Sequence, residues 1–175
     1  DDIVFSAPSY DKAAGVTNTG AVYVIFGRIN AVNIDLLGFV AGPSSGMIIL
    51  GSAYNHQIGV FSVQGAGDVN KDSLGDIIIG ANQVTPVAGR TGAGAAYVIF
   101  GTKSASPALY TIDLASMTSS GTTGFRIFGA TLQDSCGASV SRAGDVNGDN
   151  IDDFMVGCSG KTVMGEDYVG TTYVW

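Results

Sequence analysis

Two short stretches of the sequence carry acidic residues in a pattern suited to holding a cation. They span residues 68–76 and 145–153, and together they contain seven of the fifteen acidic residues. Each has an oxygen-bearing side chain at positions 1, 3, 5 and 9, and an apolar residue at position 7 that can offer only its backbone carbonyl. Carboxylates grouped in this way repel one another unless a cation lies among them. The predicted ligands are Asp68, Asn70, Asp72, Leu74 (backbone oxygen), Asp76, Asp145, Asn147, Asp149, Ile151 (backbone oxygen) and Asp153.

Calcium is the cation that this donor set favours, because it takes six to eight oxygens at roughly 2.3–2.6 Å. Magnesium fits less well, since it demands octahedral geometry and tends to keep its waters. An EF-hand would need a Glu at position 12, where this chain has Ile79 or Val156. The alternative is that both stretches are only Asp-, Asn- and Gly-rich hairpin turns. The recurrence of the pattern favours two Ca²⁺ sites.

The acidic stretches belong to an internal repeat of 74 to 78 residues. Ala-Val-Tyr-Val-Ile-Phe-Gly at 21–27 returns as Ala-Ala-Tyr-Val-Ile-Phe-Gly at 95–101. Gly-Ala-Gly-Asp-Val-Asn at 65–70 returns as Arg-Ala-Gly-Asp-Val-Asn at 142–147. Asp2 aligns with position 9 of a third acidic loop, but the other positions would precede residue 1, so it is not counted as a site. Further recurring segments are 33–36 with 111–114, 47–51 with 125–129, and 2–7 with 76–81 and 153–158.

Each repeat has four strand-like segments, short and rich in Val, Ile, Tyr and Phe. In the second repeat they are a strand that starts with Gly59–Val63 and runs to the acidic turn, followed by 76–81, 95–100 and 125–128. No ten-residue stretch has a helical period, although single helical turns are expected at 34–37 and 112–117. Repeated four-stranded units are typical of β-propeller blades. The prediction is an all-β fold, a β-propeller fragment of four-stranded antiparallel blades.

The repeat divides the chain into one complete blade and two partial ones. A partial blade over 1–50 (strands 2–4), a complete blade over 51–129 and a partial blade over 130–175 (strands 1–3) would form one propeller-type domain. This amounts to about 2.3 blades, whereas propellers typically close with about 4–8. Strands at an incomplete blade leave backbone groups unpaired. The expected partners are therefore another protein, or further copies of the chain associating through blade edges.

Composition narrows the function classes. With 46% hydrophobic residues and a net charge of −7, the chain is predicted to be globular and to bind neither nucleic acid nor an anionic membrane. No run of apolar residues is long enough for membrane insertion. An export signal is expected to have been removed or to lie upstream.

No group of residues in the sequence resembles a catalytic site. The single histidine, His56, aligns with Ser135, so the repeat does not require it. The Gly-rich segment 89–94 lacks the Lys-Ser/Thr ending of a phosphate-binding loop and is interpreted as a hairpin loop. The chain is predicted not to be an enzyme. Three tyrosines share one repeat position and are expected to pack in the core or between blades, ligand stacking being the alternative: Tyr23, Tyr97 and Tyr173.

The two cysteines are expected to be free. A regular hairpin centred near Asp149 puts Cys158 opposite Val140, which leaves Cys136 four residues out of register. That offset is roughly 13 Å at strand rise, whereas a disulfide tolerates about 7 Å between Cα atoms. Two buried thiols are the favoured prediction, and a disulfide requires a bulged hairpin.

The chain resembles the FG-GAP repeat of integrin α-subunits. The resemblance rests on Gly144–Asp153 followed by Phe-Met-Val-Gly, on Phe26-Gly27 and Phe100-Gly101, and on Ser6-Ala7-Pro8 in place of Gly-Ala-Pro. The long repeat is more similar to integrin-like repeats of secreted microbial proteins than to animal integrins. Asn82 and Ser159 replace the family's Pro after Gly-Ala or its counterpart.

The resemblance implies a seven-bladed propeller, calcium in the hairpin between the first two strands of a blade, and an extracellular or cell-surface setting. The expected function is a calcium-stabilised adhesion or protein-binding module of a larger integrin-like protein. The alternative is a structural subunit of an extracellular filament or oligomer, assembled through incomplete blades.

Overall fold

The computed structural model describes residues 1–28, 33–53, 55–117, 121–162 and 169–175. Within these ranges there are eleven strands and two single-turn 3₁₀ helices, Leu36–Gly38 and Pro107–Tyr110. The strands are β1 Ile3–Ala7, β2 Ala21–Ile25, β3 Gly46–Leu50, β4 Val63–Gly67, β5 Asp76–Ala81, β6 Ala95–Ile99, β7 Thr111–Asp113, β8 Gly124–Phe128, β9 Cys136–Gly144, β10 Asp153–Cys158 and β11 Thr171–Val174.

The strands form three sheets, each built mainly from one repeat, and β7 of the middle repeat joins the first sheet. Their orders are β1-β2-β3-β7, β4-β5-β6-β8 and β11-β10-β9. All neighbouring strands are antiparallel except β3 and β7. The all-β fold class is confirmed, and separate antiparallel sheets without a closed barrel are consistent with a propeller fragment.

Apolar side chains from both faces of the middle sheet pack against its two neighbours. Ile79 and Tyr97 share one core with Val22 and Ile49 of the first sheet. Residues on the other face of the middle sheet pack with the third sheet: Ile78 and Val98 with Val140, Phe154 and Val156. Every residue of β2 and of β6 is buried, because these strands lie in the interior of their sheets. This explains why both read as continuous apolar runs.

The repeated tyrosines differ in exposure. Tyr23 and Tyr97 are buried at 6% and 2% exposure, whereas Tyr173 on β11 is 38% exposed. Packing therefore accounts for the first two, and the third lies on the outer strand of the three-stranded sheet.

Two predicted local structures are wrong. The 112–117 segment is not a helical turn, since Thr111–Asp113 is strand β7 and the 3₁₀ turn precedes it at Pro107–Tyr110. Strand β4 starts at Val63 rather than at Gly59. Gly59 adopts a φ of 71°, which an extended strand does not allow, and its N–H donates to the carbonyl of Gly80 at 2.8 Å.

The prediction of two free thiols is also wrong, because Cys136 and Cys158 form a disulfide. Two bulges in β9 bring them together. After the bulge near the loop, Val156 pairs with Val140 and Gly157 with Ser139. A second register shift then places Cys158 opposite Cys136, so a regular hairpin register did not apply. Gly137, inside this shift, adopts a φ of 83°, a conformation that glycine reaches without a Cβ penalty.

Among the described residues, no helix is both long and apolar enough to cross a membrane.

Candidate metal centre

Each acidic stretch closes a hairpin with the same bulge beside the turn. We call them hairpin A (β4, loop A at residues 68–76, and β5) and hairpin B (β9, loop B at residues 145–153, and β10). In hairpin A, Gly65 pairs with Ile77 and Gly67 with Asp76, leaving Ala66 unpaired. In hairpin B the unpaired residue is Ala143. The glycine after each bulge has positive φ, 89° at Gly67 and 72° at Gly144, so the bulge depends on glycine.

The first aspartate organises each turn by accepting hydrogen bonds from backbone amides. The Asp68 carboxylate accepts from the N–H of Asp72 at 3.0 Å and of Ser73 at 2.8 Å. The Asp145 carboxylate accepts from Asp149 at 3.0 Å and Asn150 at 2.9 Å. The two loops therefore fold around their first residue in the same way.

Positions 3 and 5 continue the network. Asn70 Oδ1 accepts from the N–H of Asp72 at 3.0 Å, and Asp72 Oδ1 accepts from Leu74 at 2.8 Å. In loop B the corresponding bonds, from Asp149 to Asn147 and from Ile151 to Asp149, are both 2.9 Å. Leu74 and Ile151 are half-buried. The predicted ligands at positions 1, 3 and 5 thus lie within one tight turn in each hairpin.

Position 9 is the buried end of each loop. Asp76 is 2% exposed and accepts from the N–H of Val69 and of Gly101, both at 2.8 Å. Asp153 is 6% exposed and accepts from Val146 at 2.7 Å. Burial, together with repulsion from Asp72 and Asp68, raises the pKa of Asp76 to about 6 despite its two hydrogen bonds. A bound cation would oppose both effects by stabilising the charged carboxylate.

The donor chemistry of both loops fits a hard cation such as Ca²⁺, since each predicted ligand offers oxygen. Within the part of the chain that the structure describes, no three side chains of Asp, Glu, His or Cys form a metal-binding group. The carboxylates are instead engaged by backbone amides. The calcium sites therefore stay a prediction.

Asp152 connects the two loops, a role that was not predicted from the sequence. Its Oδ2 accepts from the N–H of Asp68 at 2.9 Å, and its own N–H donates to the Asp68 carbonyl at 3.2 Å. Arg142 forms an ion pair with the same carboxylate at 2.6 Å. The Asp68 N–H and the Arg142 guanidinium lower the pKa of Asp152. The sequence does carry a signal for this role, because position 8 is the acidic Asp152 in loop B and Gly75 in loop A.

Asp2 reproduces one contact of Asp76. Its Oδ1 accepts from the N–H of Gly27 at 2.8 Å, as Asp76 Oδ1 does from Gly101. This supports the alignment of Asp2 with position 9 of the repeat.

His56, the single histidine, lies in a loop away from the acidic turns. Its Nδ1 is hydrogen-bonded to Ser52 Oγ at 2.6 Å, and burial lowers its pKa. Desolvation therefore favours the neutral imidazole at this position.

Comparison with known families gives one match, which covers hairpin A. Residues 62–99 match the FG-GAP repeat. The chain contains an FG-GAP repeat. The matched segment begins just before β4 and ends with β6, so it includes loop A and three of the four strands of the middle sheet. The recognition of the family from its motifs is confirmed over these residues. A search of curated proteins found no match.

FG-GAP repeats are found in β-propeller proteins like the integrin α-subunit. They are non-enzymatic binding or structural modules and usually occur in extracellular domains. The FG-GAP repeat therefore suggests that this chain is an integrin-like propeller module.

Proposed function

We propose that this chain is a calcium-stabilised, extracellular protein-binding module of a larger integrin-like protein, and that its calcium is structural. The observation that carries the proposal is the position of loop A. Loop A lies within the segment that matches the FG-GAP repeat, directly before β5 of the middle sheet, and it brings Asp68, Asn70 and Asp72 into one turn beside the buried Asp76.

The role proposed for calcium follows from the charges. Loop A gathers Asp68, Asp72 and Asp76, and the raised pKa of Asp76 reports the cost of burying its charge beside two others. When bound, calcium neutralises this repulsion and fixes the turn between β4 and β5. Loop B groups Asp145, Asp149 and Asp153 with the same hydrogen-bond network, and calcium neutralises the repulsion among their carboxylates in the same way.

An extracellular setting is supported by the disulfide between Cys136 and Cys158. Disulfides persist in oxidising compartments and are rare where thiols are kept reduced. Adhesion or protein binding is supported by the repeat family, and the loops and sheet edges supply the surfaces for it.

Thermal unfolding tests the structural role of calcium. We expect chelator to lower the melting temperature and added Ca²⁺ to restore it by mass action, with Mg²⁺ less effective at equal concentration. Asp134→Ala is the matched control. Asp134 is buried in an ion pair with Lys161 at 3.3 Å, away from both loops. Its substitution should cost the same stability with and without calcium. Unchanged melting in excess chelator would contradict the proposal.

A structural subunit is the second candidate, favoured by the apolar surface of β11. Val174 and Trp175 are 52% and 46% exposed, and Tyr173 is 38% exposed. An edge strand with exposed apolar side chains invites pairing with another chain. Sedimentation at micromolar concentration with saturating calcium separates the two candidates. A ladder of oligomers supports the subunit, and a discrete monomer supports the module.

A further inference from the structure

The segment between the third and fourth strands of the middle repeat leaves its own sheet. Strand β7, Thr111–Asp113, pairs parallel with β3, the outer strand of the neighbouring first sheet. Ile112 lies opposite Ile49, and Asp113 opposite Leu50. One repeat thus covers the outer edge of the repeat before it.

Burial and charge hold this segment on the first sheet. Ile112 and Leu114 are 8% and 0% exposed, and the N–H of Leu114 donates to the carbonyl of Leu50 at 3.0 Å. Lys12, from the loop between β1 and β2, forms an ion pair with Asp113 at 2.6 Å. The contact therefore combines strand pairing, two apolar anchors and one cation from the receiving sheet.

The first repeat carries the same motif, and within the described residues no other sheet pairs with it. Asn33-Ile34-Asp35-Leu36 aligns with Thr111-Ile112-Asp113-Leu114. Both aspartates accept from the N–H two residues ahead, at 3.0 Å for Asp35 and 2.9 Å for Asp113. Yet Ile34 and Leu36 are 38% and 39% exposed. The turn after each aspartate is retained, whereas the strand pairing and the burial of the two apolar side chains occur in the middle repeat.

The middle sheet offers a receiving edge that matches β3. Strand β8 aligns with β3, and Ile127 occupies the position of Ile49. In the described ranges β8 pairs with β6 alone, and Ile127 is half-buried where Ile49 is fully buried. Arg90, from the loop between β5 and β6, donates to the carbonyl of Gly129 at 2.9 Å, just beyond the end of β8. A positively charged side chain therefore lies near this edge, as Lys12 lies near the edge of β3.

We propose that the outer edge of β8 is a docking surface for an Xaa-Ile-Asp-Leu segment of a further repeat of this kind. The segment adds as a parallel strand, with its Ile opposite Ile127 and its Asp beside Arg90. Backbone pairing supplies affinity, and the apolar side chains supply register. This docking is a contact between repeats and does not depend on calcium.

A chain extended at its carboxyl end tests the proposal. Trp175 aligns with Ile99, so appending a copy of residues 100–117 directly after Trp175 reproduces the spacing of the middle repeat. The matched control carries Ile112→Ser and Leu114→Ser in the appended copy only. We expect amide exchange over Gly124–Phe128 to slow by about tenfold or more in the extended chain, and not in the control. A third protein, with Arg90→Gln in the extended chain, should lose about 1.4-fold to 5-fold of that protection, the range of an exposed ion pair.

Slowed exchange at β8 supports the proposal whether the added segment docks on its own chain or on a second copy, which sedimentation distinguishes. Unchanged exchange at β8 would overturn it, as would equal protection in the serine control. Slower amide exchange at Gly46–Leu50 instead of at β8 would also overturn it, because the added segment would then be replacing β7 on the first sheet.

Discussion

Hairpins A and B carry the same loop on the same bulge, yet different contacts fix them. Strand β9 of hairpin B has nine residues and is joined to β10 by the disulfide at the end away from the loop. Strand β4 of hairpin A has five residues, and Ile58, which occupies the position of Cys136, lies outside it. Hairpin A is instead packed between two sheets, with the first on one face and the third on the other.

The difference separates what the loop pattern encodes from what its surroundings add. Positions 1, 3, 5 and 9 produce the same amide–carboxylate network in both hairpins. The contacts beyond the loop, namely the disulfide and the Asp152 link, occur in one hairpin or join the two. Substitutions outside the shared positions should therefore affect the hairpins unequally.

The largest effect should come from removing the disulfide. Cys136→Ser with Cys158→Ser should lower the free energy of unfolding by about 3 kcal/mol, because the closed loop no longer restricts the unfolded chain. Amide exchange should show the loss at Val156 of β10 more than at its counterpart Ile79 of β5. Reduction of the unsubstituted chain is the control and should give the same pattern. Equal loss of amide protection at Val156 and Ile79 would contradict the proposed difference between the two hairpins.

Asp76→Asn and Asp153→Asn probe position 9 in the two loops. In calcium, Asp76→Asn and Asp153→Asn should each cost about 1–3 kcal/mol, because each carboxylate is buried and accepts a hydrogen bond from a backbone amide of its own loop. In chelator, Asp76→Asn should lower the free energy of unfolding by a smaller amount, because asparagine carries no charge that must be buried. Denaturant unfolding under both conditions measures this. A cost independent of calcium would argue against Asp76 as a ligand.

Asp152→Ala should weaken the hairpin that it does not belong to. It removes the acceptor for the Asp68 N–H, at a cost of about 1–2 kcal/mol. Amide exchange should quicken at Asp68 and Val69 of loop A. Asp152→Asn keeps an acceptor oxygen and should retain most of the protection. If both variants leave loop A unchanged, the loops are not coupled.

The smallest effect concerns position 4, where loop A has Lys71 and loop B has Gly148. Both have positive φ, 62° and 80°, a conformation that favours glycine. Lys71→Gly should stabilise loop A by about 0.5 kcal/mol, less than the full strain because glycine also gains freedom in the unfolded chain. The reverse exchange, Gly148→Lys, should destabilise loop B. The midpoint of denaturant unfolding reports both, and a loss of stability with Lys71→Gly would contradict the prediction.

The sequence predicted well what depends on local spacing. Strands β2 and β6 followed from their apolar, β-branched runs, and the acidic turns from their repeated Asp and Asn positions. Features that depend on non-local register were missed. The disulfide required a bulge at Gly137, and β7 required the edge of another repeat's sheet. Asp152 was overlooked because its partner, Asp68, lies 84 residues away.

Calorimetric titration with Ca²⁺ tests the central claim most directly. We predict two bound ions per chain, one after Asp68→Ala, one after Asp145→Ala and none in the double variant, while Asp134→Ala retains both. If the double variant still binds two ions, loops A and B are not the calcium sites. If the unsubstituted chain shows no heat of binding at millimolar calcium, the assignment is contradicted as well.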